Sequence, residues 1–402
     1  MNICAIVCEY NPFHKGHLYH LEESRRQLGE ETVMVGVMSG DYVQRGEAAV
    51  FSKFARAEAA CRCGMNLMVE LPLPWALSSA EGFAAGAVAI LDSLGCTHLS
   101  FGSESGELVG LEALAECLLD PMTMAAVKER MAQKPNLSFA AARQQVLEEC
   151  LGETGRLIET PNNILAVEYL KALRRRGSSM LPITVKRRGS GHDETGEGEI
   201  LSASQLRQLL RDGETISAYV PSAAMEVFRR ELEQGRAVLN RREAELMLLS
   251  RLRMLEEKDF LALPDGGDGV GKRLYKAVRE EPSLDQILAV AKNKRVALSR
   301  LRRMCLAAAL GLNAGMTAGE PPYIRVLAAD EKGRAFLRRS AGESPIPVVT
   351  KPAVIRQLGG RAEALFAMGA SAHDLYTLSF LAIEDKKGGS DWRTGPKIVK
   401  FP

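Results

Sequence analysis

The chain has no long apolar run: nothing in its 402 residues approaches the roughly 20 consecutive apolar positions a membrane helix needs. No charged–apolar–small leader opens it, so a cytoplasmic protein with no membrane partner is expected. Its eight cysteines, Cys4, Cys8, Cys61, Cys63, Cys96, Cys117, Cys150 and Cys305, show no paired spacing. The one close pair, Cys61-Arg62-Cys63, has no second pair and no nearby histidine, which argues against zinc and for reduced core thiols. Net charge is nearly absent as well. The 52 Lys and Arg against 50 Asp and Glu leave +2, which argues neither for nor against a nucleic-acid partner. There are no internal repeats. The 46% hydrophobic and 25% charged content is that of an ordinary globular protein, long enough for two domains.

What is present begins at once. Residues 1 to 105 alternate strand-like and helix-like stretches. Ile3 to Cys8, Thr32 to Ser39, Met65 to Pro72 and His98 to Glu104 are short apolar runs suited to buried strands. Helical patterns lie between them around Ser52 to Arg62 and from Ser78 to Leu94. Strands alternating with helices at this spacing predict a parallel α/β sheet, whose ligands bind at the C-terminal strand ends. His14-Lys15-Gly16-His17 falls where the first strand gives way to a helix, after the turn signal Asn11-Pro12. Backbone N–H groups and the positive end of a helix dipole meet there, a ready site for phosphate. Two imidazoles at that place can contact phosphate oxygens as charge develops. A surface helix with a capping glycine would give the same tetrapeptide, so its context has to decide.

That context is specific. Glu9 to His17, EYNPFHKGH, resembles the x-F-D/N-P-x-H-x-G-H signature of the HxGH nucleotidyltransferases, with Glu9 and Tyr10 where many members carry glycine-rich turns. Val7 to His20, Met38 to Ala60, Phe101 to Ser105, Pro161 to Leu170 and Pro322 to Gly333 together resemble one family, the tRNA(Met) cytidine acetate ligases. Leu201-Ser202-Ala203-Ser204-Gln205-Leu206-Arg207 is similar to the second superfamily signature, I-S-S-T/S-x-I-R, with alanine for the second serine. Serine hydroxyls, a helix N-terminus and an arginine can grip phosphate, although the same string reads equally as a plain helix cap.

The resemblance implies a Rossmann-like sheet of the HxGH type in residues 1–220, followed by a mainly α-helical, tRNA-binding domain in 221–402. It implies ATP-dependent acetylation of the wobble cytidine of elongator tRNA(Met) to N4-acetylcytidine, from acetate by way of acetyl-adenylate. His14 and His17 would be catalytic. Val7, Glu9, Asn11, Gly16, His20, Gly102, Asn162 and Arg187 would join them in binding ATP, with Ser202, Ser204 and Arg207 on the distal phosphates. Magnesium is expected with ATP, with no ligand set legible, and no protein partner is implied.

The stretch from Gly40 to Val50 reads as a long loop at the binding edge, and Gly189 to Gly198 as a hydrophilic loop able to close over a nucleotide. Lys292 to Arg303 carries no acidic residue. Lys294, Arg295, Arg300, Arg302 and Arg303 there, with Arg325, are candidates for tRNA phosphate contact, against the plainer reading of a solvated face. A small-molecule adenylyltransferase would need only residues 1 to 210, leaving that basic stretch unexplained. A non-catalytic RNA-binding protein would have no use for the retained histidines, serines and arginine.

Overall fold

The computed structural model describes every residue except 135, 188–199, 265, 268 and 402, and the side chain of Arg241. The loop expected over Gly189 to Gly198 lies outside the described residues.

Ten strands form in chain order: β1 (Ile3–Cys8), β2 (Val33–Ser39), β3 (Tyr42–Val43), β4 (Glu47–Ala48), β5 (Leu67–Leu71), β6 (His98–Ser103), β7 (Leu181–Lys186), β8 (Ile324–Ala329), β9 (Val348–Val349) and β10 (Lys397–Ile398). The sheet runs β10-β8-β5-β2-β1-β6-β7, with β9 also paired to β8. From β5 to β7 all pairs are parallel. Every residue of β2 and β5 is buried, because helices cover both faces of a parallel sheet and leave no solvated side to alternate toward. One apolar layer packs helices Ala80–Ser93 and Pro161–Arg176 against the sheet. The other packs helices Lys15–Leu28, Lys53–Arg62, Ala203–Arg211 and Ser222–Glu233 on the opposite face.

Strand order reverses at β1: the chain steps outward through β2 and β5 on one side, and through β6 and β7 on the other. Such a switch point opens a crevice beyond the strand ends. The helix that follows β1 starts at that crevice.

Beyond residue 220 the chain is mainly helical, as expected, with helices Arg241–Arg253, Val270–Glu280, Leu284–Ala291 and Leu298–Ala309 around a third apolar cluster. It then recrosses the expected boundary. β8 pairs antiparallel with β5, Glu70 opposite Arg325, and β9 and β10 extend the same edge. The run IRVLAA is too short to tell a strand from a buried helix, and its partner lies some 250 residues away in the chain.

The stretch from Gly40 to Val50 also differs from a plain loop. β3 and β4 form a two-residue-strand hairpin, Tyr42 opposite Ala48. Its turn needs Gly46, at φ +80°, where a Cβ would stand 2.6 Å from the backbone of Arg302 and Arg303. The hairpin is pressed directly on helix Leu298–Ala309.

Candidate active site

His14 is the N-cap of helix Lys15–Leu28. Its Nδ1 accepts from the Gly16 N–H at 3.0 Å, and its own N–H donates to His17 Nδ1 at 3.3 Å. With Nδ1 an acceptor in both rings, each neutral imidazole carries its proton on Nε2. The rings lie 3.8 Å apart, centroid to centroid. Gly16 keeps them so, since a Cβ there would come within 2.8 Å of the His14 ring. Tyr10 turns the chain into this helix at φ +45°, the left-handed region usually left to glycine, and its buried ring meets Phe13 at 4.8 Å and His17 at 4.9 Å. The turn is thus held by packing where a glycine would need none.

Burial, and then the Arg187 guanidinium, bring the His14 and His20 imidazoles down to about 4. Burial also holds His17 well below the usual histidine range, with His14, Arg187 and His20 adding to the effect. At neutral pH the three rings are therefore uncharged. They offer hydrogen bonds, not net positive charge, to whatever occupies the helix N-terminus.

The other predicted nucleotide residues converge from the strands beside β1. His20 Nε2 bonds Ser100 Oγ of β6 at 2.9 Å, which Ser24 Oγ reaches at 2.6 Å, so this side of the helix is tied to the sheet. Arg187, exposed just past β7, lies over Gly102, where a Cβ would meet its Cγ at 3.3 Å. Asn162 opens helix Pro161–Arg176 and donates through its amide to Glu104. Glu104 also accepts from the Asn163 N–H and Thr160 Oγ1, both at 2.9 Å, capping that helix with a carboxylate. Burial opposes this charge, but the hydrogen bonds from Asn162 and Thr160 outweigh it and hold Glu104 below the usual carboxylate range. Val7 sits half-buried near the end of β1. Glu9 accepts from the Gln44 N–H at 2.6 Å and from Ser39 Oγ at 3.3 Å, and burial pushes its carboxyl up. Asn11 accepts from the Val50 N–H at 2.9 Å, while its own Nδ2 is buried with no partner.

A family model described as HIGH Nucleotidyl Transferase matches residues 1–391. A tRNA(Met) cytidine acetate ligase of Thermoanaerobacter sp. (strain X514) is 36% identical, the alignment covering 94% of this chain and 96% of that one. One of Syntrophomonas wolfei is 34% identical over 98% and 99%. The chain belongs to the tRNA(Met) cytidine acetate ligase family. Its fold superposes on the crystal structures of Thermotoga maritima TmcAL, apo at a TM-score of 0.93 and bound with alpha-thio ATP at 0.91, each 31% identical and covering 99% of this chain and 100% of that one.

In this member of the acetate ligase family, the two serines stay exposed while several of the expected arginines are engaged inside the protein. Ser202 caps helix Ala203–Arg211, and its hydroxyl donates to Gln205 Oε1 at 2.7 Å and stands 3.0 Å from Ser204 Oγ; both serines are exposed. Arg207, in contrast, is buried. One nitrogen donates to the Asn11 carbonyl at 2.9 Å and another meets Glu47 at 2.7 Å, so it ties the His14 loop to the β3–β4 hairpin. Arg325 is 3% exposed, 2.7 Å from Asp391 and 3.3 Å from Glu70, and cannot reach a polyanion from there. Arg300, Arg302 and Arg303 are half-buried, the last two against the hairpin, with Arg303 donating to the Gln44 carbonyl at 3.5 Å. Lys294 and Arg295 stand exposed as expected.

Sequence reasoning missed a buried charge network beside the crevice. Lys53 meets Glu70 and Asp391 at 2.9 Å each, and His373 Nδ1 meets Asp41 at 2.7 Å. Arg56, fully buried, donates to the carbonyls of Glu9, Ser39 and Gly40 and so clamps the ends of β1 and β2 together. The only legible signal was an arginine and a lysine on a helix of alanines. The partner Asp391 lies 338 residues from Lys53, and the nearer ones come together only when the strand ends pack.

Proposed function

We propose that this protein acetylates N4 of the wobble cytidine of elongator tRNA(Met), with ATP and acetate as co-substrates, in the cytoplasm. One observation carries the reading: two neutral imidazoles, each with an Nε2–H, meet at a helix N-terminus on the switch point of the sheet, in a chain similar over nearly its whole length to enzymes of that name.

In the first half-reaction an acetate oxygen attacks the α-phosphorus and pyrophosphate leaves. His14 and His17 donate hydrogen bonds to phosphate oxygens as charge redistributes, and the helix N-terminus adds its N–H groups. Arg187 and Asn162 hold the nucleotide from the β6–β7 side, while exposed Ser202 and Ser204 offer hydroxyls to the outer phosphates. In the second, the cytidine N4 attacks the acetyl carbonyl. A C–N bond forms, the C–O bond to AMP breaks, and N4 loses a proton. Acetate needs this activation because its own oxygen is a poor leaving group.

Magnesium would travel on the ATP phosphates; among the described residues no three His, Cys, Asp or Glu gather as a metal cage, and no step is routed through a metal. Residues 1–220 supply the adenylating half and the helices after 221, with Lys294 and Arg295 outward, the tRNA-binding half. Incubation with ATP, labelled acetate and bulk tRNA tests the whole reading. It expects label in N4-acetylcytidine together with AMP and pyrophosphate, and fails if acetate is activated without any tRNA becoming labelled.

A further inference from the structure

A cavity of about 200 Å³ lies outside the site just described. The β3–β4 hairpin forms one wall, helices Arg241–Arg253, Leu284–Ala291, Leu298–Ala309 and Gly360–Thr377 form most of the others, and Arg211, Val238, Asn240 and Ser379 close the gaps. Two tyrosines line it, Tyr42 and Tyr376, each 1% exposed, with rings edge-to-face at 6.2 Å. Both hydroxyls are buried and have no hydrogen-bond partner among the described residues. Unpaired buried hydroxyls are costly unless something else satisfies them. Glu47 and Arg302 line the same space, with Arg211, Glu245 and Asp285 as further charged groups and Leu248 and Leu306 among the apolar ones.

Resting on the functional reading above, we propose that this cavity receives the base of the acceptor nucleotide, a single pyrimidine ring turned out of its RNA loop. Its volume is below the roughly 300–1,000 Å³ of clefts that take drug-sized ligands, so it suits one ring and not a nucleotide. Its polar groups match an aminopyrimidine. Among them, the Glu47 carboxylate accepts from the exocyclic amine, the Arg302 guanidinium donates to the carbonyl oxygen and ring nitrogen, and the two phenols add hydrogen bonds. Proteins that read or modify a single base turn it into such a pocket of apolar walls and a few aimed polar groups.

Position supports the same occupant. Gly102, Arg187 and Asn162 lie on the β6 side of β1, whereas the hairpin follows β2 on the other side. Nucleotide and acceptor would thus approach the strand ends from opposite flanks. One side chain links the cavity to the catalytic loop: Arg207 holds Glu47 at 2.7 Å with one nitrogen and the Asn11 carbonyl at 2.9 Å with another. An amine held by Glu47 would therefore be one side chain removed from the loop that carries His14 and His17. The exposed Lys294 and Arg295 precede the helix that brings Arg302 to the cavity, so RNA backbone bound there would lead to its mouth.

Two variants of the full-length protein test this: a Tyr42→Phe/Tyr376→Phe double substitution, which removes only the unpartnered hydroxyls, and Ala244→Phe, which fills the cavity from its wall. Each is assayed for thermal stability, acetate-dependent ATP–pyrophosphate exchange, tRNA affinity, and transfer of acetate to a tRNA(Met) transcript. The expected result is parental folding, exchange and tRNA affinity, with transfer reduced about tenfold or more in both. A fully active parent whose folded variants keep parental transfer overturns the assignment alone. Exchange and transfer falling together also overturns it, since the cavity would then serve the nucleotide or the fold. A parent that activates acetate but acetylates no tRNA overturns the functional reading, and the assignment with it.

Discussion

The two imidazoles of the HKGH turn are held as neutral Nε2–H donors by where their ring nitrogens sit. His14 and His17 each use Nδ1 to accept a backbone N–H, so Nε2–H is the group left for substrate. Removing one such donor from a developing negative charge commonly costs about 10²–10³ in rate. His17→Ala should lower acetate-dependent pyrophosphate release by about that factor with little change in melting temperature; His17→Asn, which keeps an N–H, should recover part of it. Undiminished release from a folded His17→Ala protein would remove His17 from the mechanism. The depressed histidines also predict a pH dependence of stability. Between about pH 6.5, where unfolded histidine titrates, and about 4, where folded His14 and His20 do, the unfolded chain binds more protons than the folded one. Stability from these groups is therefore complete above pH 6.5 and lost as pH falls toward 4. His373 runs the other way: burial lowers its basicity, but Asp41 more than offsets this and raises it, so its contribution is present below pH 6.5 and fades as pH rises. His20→Asn should narrow the difference between urea-unfolding free energies at pH 5 and 7.5. An unchanged difference would mean that His20 titrates normally.

Among the elements, those with a local signal were legible and those made by distant pairing were not. β1 runs over the six residues its apolar pattern marks, and β2, β5, β6 and the helices between them fall within a residue or two of their patterns. The His14 turn was readable because a strand end, a turn signal and a helix start stand next to one another in the chain. β8 was not, because IRVLAA acquires its strand identity only by lying against β5. Nor was the role of Arg207 readable. SxSxxR looks like a phosphate grip, yet burial and the nearby Glu47 turn its guanidinium into a brace between two loops. The β3–β4 hairpin shows the same limit, since only the packed structure reveals that Gly46 is squeezed against Arg302 and Arg303. Gly46→Ala must both strain the backbone and push the helix away, at a cost of about 1–3 kcal/mol. Because Glu47 and Gln44 connect this hairpin to Arg207 and Glu9, activity should fall together with stability. A variant with parental denaturation midpoint and parental tRNA acetylation would show that the hairpin moves freely of the helix.

At the scale of the molecule, the basic stretch after residue 291 divides into two populations that composition alone cannot separate. Arg302 and Arg303 pack onto the hairpin, Arg300 is half-buried, and Arg325 is locked with Asp391 and Glu70 in the network that also holds Lys53. That network joins residues from both ends of the chain, so the tail that carries Asp391 is fixed to the sheet edge beside the crevice. Breaking it would disturb folding, ATP and tRNA together. Lys292, Lys294 and Arg295 differ in being exposed and in carrying no ion pair among the described residues. If they meet tRNA, they act on phosphates alone, and their charge should matter in proportion to the counterions released. Replacing the three by glutamine should therefore leave acetate-dependent ATP–pyrophosphate exchange intact and weaken tRNA binding. It should also flatten the log–log salt dependence of that binding, by up to about one unit for each phosphate no longer neutralised. A solvated face with no RNA role would leave affinity and slope at their parental values, and a structural role would lower the melting temperature and both half-reactions at once. Either outcome would move the tRNA footprint elsewhere on the surface.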